Sequence, residues 1–153
     1  MHPRTDYTTA APGAYAAMRA LETYVHQSGL EAGLLELVRT RVSQLNGCAY
    51  CIDMHTQMAR VAGETEQRLY ALSAWQETPF FTVRERAALA WAEALTRVRE
   101  GSVADDLYET ARGQFGDKGL ADLSLAIVAI NGWNRLAIAF ATPPGSYRRA
   151  RSE

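Results

Sequence analysis

Between residues 14 and 141 the chain offers one helix-period pattern after another and no stretch with strand alternation. Apolar residues recur at three- and four-residue spacing, and the interruptions fall where helices start and stop. The first pattern covers about residues 14–27 and stops at Gly29. The second covers about 31–45. Asn46-Gly47 breaks the chain tightly, and a third pattern covers about 47–62, closing at Gly63 as a C′ glycine. Thr65 is placed to cap a short fourth helix that reaches about Trp75. Residues 76–81, with Pro79, read as a loop. Thr82 and Glu85 form a capping box for a fifth helix reaching about Arg99. Gly101-Ser102 precedes a sixth helix ending near Gly116, and a seventh covers about 119–141. Ala and Leu total 41 of 153 residues while Val and Ile total 12, a balance that favours helix over sheet. The expected fold is all-α: one bundle of six or seven helices over residues 14–141, with tails at 1–13 and 142–153.

A chain of this length buries roughly two-thirds of its surface on folding, enough for one core and too little for two. Sixteen basic and seventeen acidic residues give a net charge of −1, without the basic excess of a nucleic-acid binder. Residues 1–13 are polar and lack the apolar region of a signal peptide. The most apolar stretch, 120–141, is interrupted by Asn131, Asn134 and Arg135, which a membrane-spanning helix rarely tolerates. A soluble, cytoplasmic protein is expected. The seventh helix is apolar on two sides, one carrying Leu120, Leu123 and Ile127, the other Leu125, Val128 and Leu136. The second side fits a contact in a homo-oligomer. Its three polar residues fit a structural network or a subunit contact. Trp75, Trp91 and Trp133 read as core or interface aromatics, and His2 and His26 have no visible partners. The end of the chain, with Pro143-Pro144-Gly145 and three arginines, reads as a solvated tail.

The only cysteines, Cys48 and Cys51, stand in a C-x-x-C at the start of the third helix. Two cysteines make no secreted disulfide framework, and this spacing points to redox or metal chemistry. On a helix, Cys51, His55, Met58 and Ala59 share the buried stripe, with Cys48 and Ile52 at its edge. Asp53, Thr56, Gln57 and Arg60 face the other way. Cys48, in the first turn, meets unpaired N–H groups and the positive end of the helix dipole, which favour a thiolate. Cys51 follows at i+3. Helical neighbours at that spacing have Cβ atoms about 5–6 Å apart, and a disulfide wants about 3.8 Å, so a bridge needs rotation or strain. His55, at i+4 from Cys51, is placed to take its thiol proton. Other readings stay open: two inert buried thiols, or a zinc site using Cys48, Cys51, His55 and an acid. Covalent haem attachment fails, because Ile52 rather than His follows Cys51.

These residues resemble the AhpD-like alkylhydroperoxidase family, within the carboxymuconolactone decarboxylase superfamily. Its signature is an acidic residue, eleven intervening residues, then C-x-x-C-x-x-x-H. Glu36, Cys48, Cys51 and His55 match it in type and spacing. The resemblance extends over about residues 34–94 and, less tightly, Asn131-Gly-Trp133-Asn134-Arg135. Some members carry His between the cysteines, where this chain has Tyr50. The resemblance implies an all-helical fold, a thiol peroxidase or disulfide reductase activity, and homo-oligomers, often trimers or hexamers. It implies that Cys51 attacks a hydroperoxide, that Cys48 resolves the sulfenic acid, and that Glu36 and His55 relay protons. An external dithiol would then reduce the bridge, with no metal, haem or flavin required. A non-catalytic redox switch and a decarboxylase-type acid–base reaction are the rival functions.

Spacing supports the relay in part. In an antiparallel hairpin about Asn46, Glu36 and His55 reach similar depth. Helical phase opposes it: Glu36 points away from the stripe Leu34, Leu35, Val38, Val42 and Leu45, and on pattern alone is a surface acid. Gly33, Thr40 and Ser43 share its side and permit a close helix approach. Tyr50 flanks the cysteines, where its hydroxyl could reach the site.

Overall fold

A computed structural model describes residues 4–98 and 101–147. His2, Arg99 as the expected end of the fifth helix, and the arginines at 148, 149 and 151 lie outside the described residues. The elements are α1 (Tyr7–Ala10), α2 (Pro12–Gln27), α3 (Ala32–Asn46), α4 (Ala49–Val61), α5 (Glu66–Ala71), a 3-10 turn (Leu72–Glu77), α6 (Val83–Thr96) and α7 (Asp105–Ala139). No strand occurs among the described residues. The all-α expectation holds.

Local signals act where the sequence places them. Thr65 caps α5 through the Arg68 N–H, and Thr82 and Glu85 form a reciprocal capping box on α6. Gly63 (φ 96°) closes α4 as a C′ glycine, with the Glu64 N–H bonded to the Ala59 carbonyl at 2.9 Å. Three boundaries differ. Pro12 opens α2 two residues early, its missing N–H being one a helix start leaves unpaired anyway. Asp6 caps the extra one-turn α1 by accepting the Thr8 N–H at 2.9 Å. The sixth and seventh expected helices form one long element, broken by Gly116 (φ 67°, ψ 175°) where the pattern predicts a stop.

The buried centre is α3. Its residues 34–43 are all buried, ten in a row. Leu34, Val38 and Val42 pack with Trp91 of α6 and Leu123, Ile127 and Ile130 of α7. Leu37 faces a second cluster with Leu72, Trp75 and Phe81. The remaining side of α3 carries Glu36, Arg39, Thr40 and Ser43. The helical phase of Glu36 predicts a place in water, but α2 and α4 cover this side. Trp75 and Trp91 are core residues whose indole N–H groups reach Glu93 and Ser124. No helix among the described residues is long and apolar enough to cross a membrane.

Candidate redox site

One residue ends the hairpin's first helix and starts its second. Gly47 sits in the left-handed region (φ 70°, ψ 29°), open to a residue without a Cβ. Its N–H donates to the Gln44 carbonyl at 3.3 Å, and the Cys48 N–H donates to the Ser43 carbonyl at 3.0 Å. These two bonds close α3 as a Schellman motif. Cys48 is itself extended (φ −85°, ψ 94°) and caps α4, its sulfur accepting the Cys51 N–H at 3.4 Å. The sequence places Cys48 inside the first turn; it stands just before it. At the cap its sulfur meets the unpaired N–H groups directly, and it escapes the fixed helical spacing that made a bridge to Cys51 look strained. Both cysteines are buried free thiols, packed with Ala137 and Tyr50.

The sulfurs interact with each other before anything else. A hydrogen bond from the Cys51 thiol, opposed by burial and helped by the Cys51 N–H and Asn134, draws the Cys48 pKa down to about 7. The same bond, with burial and the Cys48 charge, pushes Cys51 up. One proton therefore leaves the pair easily, while the second is held between the sulfurs. His55 was expected to receive the Cys51 proton; the immediate partner of that thiol is Cys48.

Glu36 is 4% exposed and His55 5%. Glu36 Oε2 lies 2.8 Å from His55 Nδ1, and Arg39 donates to Glu36 Oε1 at 2.7 Å. Burial opposes charge on Glu36, but the hydrogen bond from His55 and the guanidinium of Arg39 outweigh it and hold its carboxyl below the usual range. An ionised carboxylate only accepts, so the shared proton sits on Nδ1 and Nε2 is the nitrogen not engaged by Glu36. The surface position read from the helical phase of Glu36 is corrected by the cover of α2 and α4.

Residues that the sequence left unassigned complete the cluster. Arg39 donates to Glu22 Oε2 at 2.6 Å, and Glu22 Oε1 accepts the Trp133 indole N–H at 3.1 Å. Asn134, fully buried, donates to Ser43 Oγ at 3.0 Å and accepts from Asn46 at 2.9 Å. Asn46 also donates to Asn131, which bonds Thr96 and is held in turn by Arg135. The three polar residues of α7 are thus an internal network tying the end of α3 to α7. The Asn134 amide also favours charge on both sulfurs, an influence foreshadowed only by an amide in an apolar helix.

A cavity of about 700 Å³ opens beside the pair, lined by Cys51, His55 and Tyr50 but not by Cys48. Met54, Met58 and Trp133 add to its wall. Tyr50 is half-buried, and burial with the nearby Cys51 keeps its phenol protonated. Both chain ends contribute, although the sequence suggests tails. The Arg4 N–H donates to the Phe140 carbonyl at 3.0 Å, Tyr7 packs on Phe140, and the Gly145 N–H donates to Asp53 at 2.9 Å. Tyr7, Pro143 and Tyr147 line the same cavity. Among the described residues no three His, Cys, Asp or Glu side chains group as a metal site.

Fold and site together define an all-α protein with a dithiol at a helix start, backed by a buried carboxylate–imidazole pair. The model of the carboxymuconolactone decarboxylase family matches residues 12–94, and the chain belongs to that family, on its AhpD-like side. The uncharacterized protein YdfG of Bacillus subtilis is 45% identical over 139 residues, covering 91% of this chain and 95% of its own length. A protein of unknown function from Agrobacterium tumefaciens, suggested to be the antioxidant defence protein AhpD, has a crystal structure that superposes with a TM-score of 0.91. It is 41% identical, over 95% of this chain and all of that one. An uncharacterized peroxidase-related protein from Silicibacter sp. TM1040 gives 0.76 at 25% identity, over 86% of this chain and 70% of its own.

Proposed function

We propose that this protein is a thiol-dependent hydroperoxidase acting on organic hydroperoxides. The observation that carries the reading is the asymmetry of the pair: Cys51 borders the cavity and Cys48 stands behind it at the helix cap. In the first step Cys51, held protonated beside Cys48, gives its thiol proton to Nε2 of His55, and its sulfur attacks the outer peroxide oxygen. The O–O bond breaks, Cys51 becomes a sulfenic acid, and the alkoxide takes a proton and leaves as an alcohol. Cys48 then attacks the Cys51 sulfur, expelling water and forming a disulfide. An external dithiol returns two electrons and two protons. Proton supply falls to His55, with Glu36 holding its other nitrogen, and Tyr50 bounds the substrate space. The cavity volume suits a substrate with a sizeable organic body, since pockets of this size hold drug-sized molecules.

The protein is expected to act in the cytoplasm as a homo-oligomer, trimer or hexamer. Leu125, Val128 and Ile138, exposed on α7, support self-association. Titration of free thiols before and after an organic hydroperoxide tests the cycle. Loss of two thiols per chain, restored by a dithiol, with steady peroxide consumption, is the expected result. A single stoichiometric oxidation without turnover would instead favour a redox switch, a reading supported by the burial of both sulfurs.

A further inference from the structure

We propose that Arg39 and Glu22 are positioning residues of this site, holding Glu36 so that His55 keeps its proton on Nδ1 and presents Nε2 as the base. The inference rests on the thiol chemistry proposed above and concerns two residues outside the signature. Arg39 is 1% exposed, yet bonds carboxylates on two helices: Glu36 on its own helix at 2.7 Å, and Glu22 on α2 at 2.6 Å. Its Nε–H has no acceptor among the described residues. A buried donor without a partner is costly, so this geometry is a poor choice for stability alone. It is a good one for fixing direction, because a planar guanidinium held at both ends cannot rotate.

The chain Glu22–Arg39–Glu36–His55 is not a proton wire. A guanidinium does not give up its proton in a protein, so transfer stops at Arg39. What passes along the chain is orientation. Trp133 fixes one oxygen of Glu22, Glu22 fixes one end of Arg39, and Arg39 fixes one oxygen of Glu36. The other oxygen of Glu36 is left for Nδ1 alone. Glu22 also balances the guanidinium, which otherwise gives its full charge to Glu36 and weakens its hold on the imidazole.

The test uses the full chain, labelled with ¹⁵N at histidine. Imidazole ¹⁵N shifts report the His55 tautomer, and the rate of alkylation by iodoacetamide reports thiol reactivity. In Arg39→Lys, a point charge replaces the fork. The His55 signals should become a mixture of tautomers, and alkylation should slow roughly tenfold. Glu22→Ala should do the same with Arg39 and Glu36 both present, which guards against a poorly folded Arg39→Lys. Glu22→Gln keeps one acceptor oxygen for Arg39 but loses the charge and the second acceptor, so it should lose clearly less than Glu22→Ala. Parent-like spectra and rates in both Arg39→Lys and Glu22→Ala would overturn the proposal, as would equal losses in Glu22→Gln and Glu22→Ala. Neither readout needs peroxide turnover. A parent that consumes no hydroperoxide while the tautomer shifts as described sinks the proposed activity and leaves this inference standing.

Discussion

Two arginines on α3, two residues apart, each hold a carboxylate that also accepts an indole N–H. Arg41 donates to Glu93 Oε1 at 2.7 Å and to Gln44 at 3.3 Å, and Trp75 donates to the same Glu93 oxygen at 2.8 Å. Arg39 has Glu36, Glu22 and, through Glu22, Trp133. The parts are alike. The Arg41 cluster runs on only to the exposed Arg97, 3.8 Å from Glu93 Oε2, with the Arg41 Nε–H satisfied. The Arg39 cluster leaves its Nε–H without an acceptor, runs on to an imidazole, and borders a cavity with a thiol in its wall. Buried ion pairs are therefore not a signature of function by themselves. What separates the two is an imidazole and a thiol bordering a space that a ligand can enter.

The sharpest way to break this comparison is to remove the thiol at the end of the Arg39 side. Cys51→Ser should reduce hydroperoxide consumption to background, a loss above about a thousandfold, because the attacking sulfur is gone. Its unfolding curve should stay near the parent's, since Ser is close to Cys in size. Retained turnover, measured by residual peroxide in the presence of a dithiol, would sink the proposed mechanism. Next is Glu36→Gln, which keeps shape and removes charge. The amide holds His55 less well, and turnover should fall about 10²–10³-fold, in the range of general acid–base contributions. An unchanged rate would return Glu36 to a structural role.

Arg41→Met probes the other side. It leaves Glu93 half-satisfied in a partly buried place. Stability should drop by about 2 kcal/mol, less than for a fully buried pair because both side chains keep some exposure. Denaturant melts supply that number, and activity per folded molecule should match the parent. A selective loss of activity in Arg41→Met would erase the distinction between the two clusters.

The sequence made one cluster half visible and the other hardly at all. Caps and breaks are local, so Gly63, Thr65, Thr82 and Glu85 were legible, and with them the helix order. Glu36, Cys48, Cys51 and His55 stand out in the sequence through the spacing of the family signature they resemble, and the fold brings Glu36 and His55 into contact. The burial of Glu36 was not legible, because helical phase tells which side of α3 a residue occupies but not whether α2 will cover that side. Glu22 and Arg39 are seventeen residues apart on different helices, and no periodic pattern links them. Arg4, Tyr7 and Tyr147 escaped for a related reason. Polar ends of a chain read as tails until a cavity gives them something to line.

The smallest expected effect concerns pH, and it follows from the cap position of Cys48. Its pKa falls from an ordinary 9.0 to about 7 in the folded chain. A group with a depressed folded pKa stabilises above its unfolded pKa, and that stabilisation is lost as pH falls through the folded value. The reduced protein should therefore gain stability, relative to Cys48→Ser, as pH rises from about 7 to about 9. Cys51 has the opposite sign. Its pKa is raised, so it stays protonated in both states below about 9 and begins to cost stability only above that. The difference in Tm between the two proteins should widen by roughly 2–4 °C across the window and then shrink. Thermal melts at pH 6.5, 8 and 9 under reducing conditions read it directly, and a flat difference would mean that the helix start does not favour the thiolate. The matching Arg41→Met melts should track the parent over the same range, because that cluster holds no thiol.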